Sequence, residues 1–270
     1  MKDLRSNFAK WLLRYAPYFS GLRHWPFIGT LLSRASRKLV PKEVFVWVQI
    51  REGPAQGLWM SVNPRTGRTI LVGAGEPEMQ DALRKHLRPG MSFYDLGANI
   101  GFFTVLAARL VGPQGRVVSF EADPENALRL RENIERNNFS NVTVEQKAVW
   151  SAPGTVTFAR ADSRVSPDRG LGHISSNTSA ADSILVTAVS LDTYIRTIQA
   201  PDFLKCDVEG AELEVFAGAR QLLADKRPGI LCEMHSEMNC RQLLKEFADF
   251  GYICTMIDET HVLALPKIRG

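Results

Sequence analysis

Apolar and polar positions follow two rhythms along this chain, and the change falls near residue 90. In residues 4–19, Leu4, Phe8, Trp11, Leu12, Tyr15 and Phe19 recur every three or four positions, while Arg5, Lys10 and Arg14 take other faces. That spacing predicts a basic amphipathic helix. Residues 21–41 mix Pro, Gly and Arg with short apolar clusters and define no element. Three β-rich runs, 44–50, 58–62 and 69–72, are separated by Gly53-Pro54 and Asn63-Pro64 and predict a small antiparallel lead-in. A helix over 78–87 then stops at Pro89-Gly90.

Beyond Gly90, short apolar runs alternate with helical patterns. Strands are expected at 92–96, 116–121, 142–149, 155–159, 184–189, 203–208 and 229–233. Helices are expected at 100–110, 124–137, 211–223 and 237–250, and a terminal strand pair at 252–257 and 261–265. Residues 161–183, rich in Ser, Gly, Asp and Arg, carry no periodicity and predict a long loop. The alternation implies an α/β fold with a doubly wound, mainly parallel Rossmann-like sheet and an antiparallel C-terminal edge. The organisation expected is an arm over 1–43, a β-rich lead-in with its helix over 44–90, and the main domain over 91–270.

Charge changes the picture at one end only. Residues 1–42 hold nine Lys and Arg against the single acid Asp3, so the net +4 of the chain divides into +8 for the arm and −4 for the rest. The body lacks the basic balance of a nucleic-acid binder. The arm's apolar face suits docking on the body, on a second copy as a homodimer, or peripheral contact with a membrane through residues 1–20. The four cysteines form no CxxC pair, which reads as free thiols in a reducing compartment. With no apolar run near the ~18 residues of a membrane span and no leader pattern, the expectation is a cytoplasmic protein.

The candidate chemistry begins at the first turn of the alternating region, because ligands of open parallel sheets bind outside the strands' carboxyl ends. There the chain reads Asp95-Leu96-Gly97-Ala98-Asn99-Ile100-Gly101. Gly97 and Gly101 allow a tight turn and close backbone approach. Asp95 can accept from an ammonium, and Glu121, at the end of the next strand, can accept from both hydroxyls of a ribose. A dinucleotide fingerprint would place a glycine where Asn99 stands. The single-turn G-x-x-x-G after an acidic strand end therefore favours S-adenosylmethionine (SAM) over a nicotinamide or flavin cofactor. Ala148 and Val149, with Glu145 and Gln146, are placed near the adenine, although strand packing explains them equally well.

Six ordered blocks resemble the FkbM-type SAM-dependent methyltransferases: Asp95 to Gly101, Glu121, Asn133-Ile134-Glu135-Arg136-Asn137, Ser190-Leu191-Asp192, Lys205 to Glu212, and Pro228 to Glu233. Ala122 and Cys206 depart from that family's pattern, where Pro and an aliphatic residue are usual. The resemblance implies a class I methyltransferase fold and transfer of a methyl group to a hydroxyl of a sugar, glycolipid or secondary metabolite. The N-P-P-Y type of site expected of an amine or amide N-methyltransferase is absent near 205–210; a non-catalytic scaffold with the same fold is the other alternative. Glu76 matches the family's G-x-x-E step, and either closes over the cofactor's amino acid end or caps a helix. An acceptor hydroxyl must lose a proton, and the candidates at the strand ends are Asp207, His235, Glu209 and Lys205. Asp207, Glu233 and His235 also form a set that could hold a divalent metal, a reading not favoured over a metal-free site. Glu209 and Glu212 have a plainer use at a helix start, and His173 lies in the long loop.

Overall fold

The computed structural model describes residues 44–64, 67–160, 173–174 and 183–268. The expected arm helix and nearly all of the loop over 161–183 lie outside the described residues. The chain divides into two compact units, one ending at Gly75 and one beginning at Glu76.

In the first unit, β1 (Val46–Gln49) and β2 (Trp59–Val62) pair antiparallel, as the turn-separated runs require. The third β-rich run corrects the sequence expectation, because Arg68–Leu71 is a helical turn, α1. Its backbone closes locally: Leu71 N donates to Gly67 O at 3.0 Å, and Ala74 N to Thr69 O at 2.9 Å. Local bonds and the positive φ of Gly73 (71°) here override the β preference of Thr and Ile.

The second unit opens with α2 (Pro77–His86), whose Pro stands in the first turn where its missing N–H costs nothing. Five strands then run parallel: β3 (Ser92–Leu96), β4 (Arg116–Phe120), β5 (Val142–Glu145), β10 (Phe203–Cys206) and β11 (Gly229–Glu233). β12 (Tyr252–Met256) and β13 (His261–Pro266) complete a seven-stranded sheet of order β12-β13-β11-β10-β3-β4-β5, with β13 antiparallel to both its neighbours. The crossovers are α3 (Phe102–Val111), α4 (Pro124–Arg136), α6 (Glu212–Ala217) and α7 (Glu237–Asp249); a short α5 (Leu191–Tyr194) precedes β10. Tyr94, Phe120 and Tyr194 meet at ring centroid distances of 5.0 to 5.9 Å in a core that continues through Leu204, Phe216 and Phe247.

In this unit three stretches differ from the sequence expectation. The run 142–149 is two strands in different sheets. After β5 the chain turns at Gln146-Lys147, and β6 (Ala148–Val149) joins a second sheet of order β6-β9-β7-β8, with β7 (Gly154–Ala159), β8 (His173–Ile174) and β9 (Ser183–Val189). β8 also interrupts the stretch expected to be all loop. The helix expected over 211–223 breaks at Gly218 and resumes as a π-helical turn, Leu222–Lys226. A Cβ on Gly218 would stand 2.4 Å from Trp150 O, so the backbones are in direct contact there. Asp192 supplies the restart, accepting from Gln221 N at 2.9 Å and Leu222 N at 2.8 Å.

Candidate active site

Strand order reverses at the first parallel strand: the chain runs outward from β3 to β4 and β5, then returns to β10 on the other side. The crevice beside β3 and β10 is where such a sheet binds ligands, and Asp95 and Lys205 stand there as register partners. Asp95 is fully buried. Thr104, on α3, donates to its Oδ2 at 2.6 Å, and Lys205 Nζ lies 3.4 Å from its Oδ1. Lys205, only 2% exposed, also donates to Asp207 Oδ2 at 3.2 Å and Gly97 O at 3.3 Å, and lies 5.4 Å from the Phe103 ring centroid. Burial works against its charge, but Asp207, Asp95 and Glu76 outweigh it and raise its pKa, so the ammonium persists.

The glycine turn is built as its sequence demands. Gly97 has φ 75°, and a Cβ there would lie 1.7 Å from Asp207 O, inside any permitted contact. Asn99 adopts φ 50°, a left-handed conformation that asparagine tolerates. Its N–H donates to Glu121 Oε2 at 2.7 Å, and Asp123 N donates to Oε1 at 2.8 Å. Glu121 thus braces the turn while each oxygen retains acceptor capacity. Burial pushes its pKa up to about 7 against the two amide bonds. Asn133 explains its block: Nδ2 donates to Ile100 O at 2.7 Å and ties α4 to the turn. Among the described residues, the buried acceptors Asp95 Oδ1 and Asn99 Oδ1 have no hydrogen-bond partner. They suit the ammonium and hydroxyl donors of SAM, so the residues present fit that cofactor. Ala148 lies in β6 in a small apolar cluster with Phe158, Val186 and Ala188, against which Ala122 packs.

The second half of the site gathers at the ends of β10 and β11. His235 Nδ1 lies 2.7 Å from Oε1 of the fully buried Glu212. Its Nε2 faces Glu209 at 3.4 Å, Asp207 at 3.8 Å and Glu233 at 3.9 Å. The bond to Glu212 pushes the imidazole pKa up to about 9 despite burial. Burial also raises Asp207, opposed by Lys205, and pushes Glu209 up to about 7 with help from the Asp207 charge. One ligand atom from each of Asp207, Glu233 and His235 falls within a 4.8 Å span.

Glu76 starts α2 with φ 47° and comes to the same end of the sheet; burial raises its pKa against the pull of Lys205. The structure therefore brings Glu76, Asp95, Gly97, Asn99, Gly101, Glu121, Lys205, Asp207, Glu209 and His235 to adjoining strand ends and turns, with Ala148 in the neighbouring sheet. The side chain of His173 lies outside the described residues. Sequence reasoning missed His261 and Asp258. His261 Nδ1 is 2.7 Å from Asp258 Oδ2, and Nε2 is 3.7 Å from both Glu76 Oε2 and Glu233 Oε2. The Asp-x-x-His spacing before an apolar strand is their one local signal.

A seven-stranded sheet with β13 inserted antiparallel, an acidic G-x-x-x-G turn and a second acidic strand end define a class I SAM-dependent methyltransferase. The sequence profile of the methyltransferase FkbM domain matches residues 95–254, more than half of the chain. The chain belongs to that family. A profile for protein-L-isoaspartate(D-aspartate) O-methyltransferase matches residues 35–152. Among curated relatives, the protein-L-isoaspartate O-methyltransferase of Methanothrix thermoacetophila is 33% identical over 39% of this chain and 48% of its own. The hexuronic acid methyltransferase AglP of Haloferax volcanii is 24% identical over 63% of this chain and 67% of its own. The matches to the more similar relatives span less than half of those proteins' length, down to 18% for the arsenite methyltransferase of Halobacterium salinarum. The crystal structure of methyltransferase FkbM from Methylobacillus flagellatus is 19% identical, with a TM-score of 0.48 over 74% of this chain and 54% of that one. Among the described residues, no helix is long and apolar enough to cross a membrane.

Proposed function

We propose that this methyltransferase acts on a hydroxyl of a sugar, glycolipid or related metabolite, with the neutral form of His235, which gains population as pH rises toward 9, removing the proton. The observation that carries the reading is the His235–Glu212 pair. The carboxylate buried at Nδ1 orients the ring and leaves Nε2 facing Asp207 and Glu209, beside the cofactor turn. A base held by a third group in this way is the arrangement that activates an oxygen nucleophile. SAM, when bound, supplies a methyl group on a sulfonium. Asp95, Asn99 and Glu121 would hold its amino acid and ribose ends. Lys205 contacts both Asp95 and Asp207 and fixes them in position. Asp207 then orients the acceptor against the methyl group, which is the main demand of an in-line displacement. The likeness to a hexuronic acid methyltransferase supports the sugar class.

Incubation with SAM and a panel of sugars, uronic acids and amines, read by mass spectrometry, tests this. A methyl ether is the expected product; a methyl ester or methylamine alone would overturn the hydroxyl reading. His235→Asn and Asp207→Asn are expected to bind SAM within a few-fold of wild type and to lose turnover by roughly 10²-fold or more. Undiminished turnover in either variant removes that residue from the mechanism.

A further inference from the structure

We propose that Glu76, Glu233 and His261 form a binding site for one divalent transition-metal cation, next to the His235 cluster and sharing Glu233 with it. His261 carries the argument. It is only 5% exposed, and among the described residues its buried Nε2 has no hydrogen-bond partner. Asp258 fixes the ring from the other side, its Oδ2 2.7 Å from Nδ1 and its Oδ1 accepting from the His261 backbone N–H at 2.8 Å. With the proton on Nδ1 toward this carboxylate, the lone pair of Nε2 points away from it. An imidazole ligand backed by a carboxylate is the usual arrangement at protein metal sites.

The lone pair is aimed between two carboxylates. Nε2 lies 3.7 Å from Glu76 Oε2 and 3.7 Å from Glu233 Oε2, and one ligand atom from each of the three residues falls within a 4.8 Å span. Separations of 3.7 Å are too long for hydrogen bonds. They lie just outside the roughly 3 to 3.5 Å expected between ligands that each sit about 2.1 Å from a central ion. Charge points the same way. Glu76, Asp207, Glu209, Glu212, Glu233 and Asp258 converge on this end of the sheet. Among the described residues, Lys205 is the one lysine or arginine in ion-pair contact with any of them, and it is shared with Asp95. A mixed nitrogen and oxygen donor set suits Mn²⁺, Co²⁺ or Zn²⁺ better than Mg²⁺ or Ca²⁺, which favour oxygen alone.

Three protein ligands leave coordination positions open for water or for substrate oxygens. An acceptor with two adjacent oxygens, a vicinal diol or a hydroxy acid, could chelate the cation there. This last step rests on the hydroxyl-acceptor reading; the cation site does not.

The test uses full-length protein freed of metal with a chelator and titrated with Mn²⁺, following the free-ion signal by electron paramagnetic resonance. SAM binding is measured in parallel by calorimetry, so failure of the cofactor reading is distinguishable from failure of the cation site. Wild type is expected to bind one Mn²⁺ per chain. His261→Ala and Glu76→Gln should each weaken it at least tenfold, and Asp258→Asn by about 10- to 100-fold, with SAM affinity within a few-fold of wild type in His261→Ala and Asp258→Asn. Glu76 is half-exposed, so Glu76→Gln remains informative if His261→Ala folds poorly. The site is overturned if wild type shows no saturable Mn²⁺ binding, or if His261→Ala and Glu76→Gln bind as wild type does. It is equally overturned if both variants lose SAM together with Mn²⁺, which would assign these residues to the cofactor.

Discussion

At the scale of single residues, the site is held by close backbone approaches and buried ion contacts. Gly97 combines a φ of 75° with no room for a Cβ against Asp207 O. Gly97→Ala must both strain its own backbone and push β3 from the end of β10. The expected cost is on the order of 3 kcal/mol or more, read by denaturant unfolding, with SAM affinity falling in the fraction that stays folded. This residue was legible in the sequence because the requirement is local: a glycine directly after an acidic strand end. Asn99 and Glu121 were legible for the same reason, although their mutual hydrogen bond was not. His261 was hidden because its meaning depends on Glu76 and Glu233, far away in sequence, and a histidine opening an apolar strand resembles any core residue. Glu212 was half visible; its place at a helix start could be read, but its grip on His235 could not.

At the scale of elements, conserving a strand or helix boundary often depends on one polar side chain. Asp123 caps α4, accepting from Glu125 N at 2.8 Å and Asn126 N at 3.2 Å, and pairs through Oδ2 with Arg160 Nε at 2.8 Å. Asp123→Ala removes both the cap and the ion pair with Arg160. A loss of about 2 to 3 kcal/mol in unfolding free energy is expected, more than a cap alone contributes. Asp192 works in the same way at the π-helical turn, which gives the Ser190-Leu191-Asp192 block a structural purpose. The parallel strands and their crossover helices were legible because periodicity alone distinguishes them. The split of 142–149 was not, since Val142, Val144 and Ala148 fall on the same alternate positions while the chain changes sheets. Nor was the helical turn at Arg68–Leu71, where β-branched composition points the other way and the hydrogen bonds from Leu71 N to Gly67 O and from Ala74 N to Thr69 O decide.

At the scale of the whole molecule, the buried acid Glu121 links folding to pH. Its pKa is about 7 in the folded chain against an ordinary 4.5. Below 4.5 both states hold the proton. Between 4.5 and 7 the folded state keeps a proton that the unfolded state releases, so its contribution to stability falls as pH rises. Above 7 the penalty is complete, on the order of 3 kcal/mol. Thermal melts of Glu121→Gln and wild type without cofactor should therefore diverge from pH 5 to pH 8, the variant gaining relative stability; parallel curves would show that Glu121 does not titrate in this window. Fold class and cofactor were readable at this scale from the alternation of strands and helices and the first turn together, whereas the second sheet was not. That sheet has a further consequence. It leaves and rejoins the main fold side by side, with Ala148 paired to Ala188 and Ala159 to Ser183. The chain between Ala159 and Ser183 is thus anchored at both ends by this pairing. Each doubling of such a segment's length costs only about 0.6 kcal/mol, so residues between Ala159 and Ser183 can lengthen, shorten or diverge while β5 and β10 keep their register.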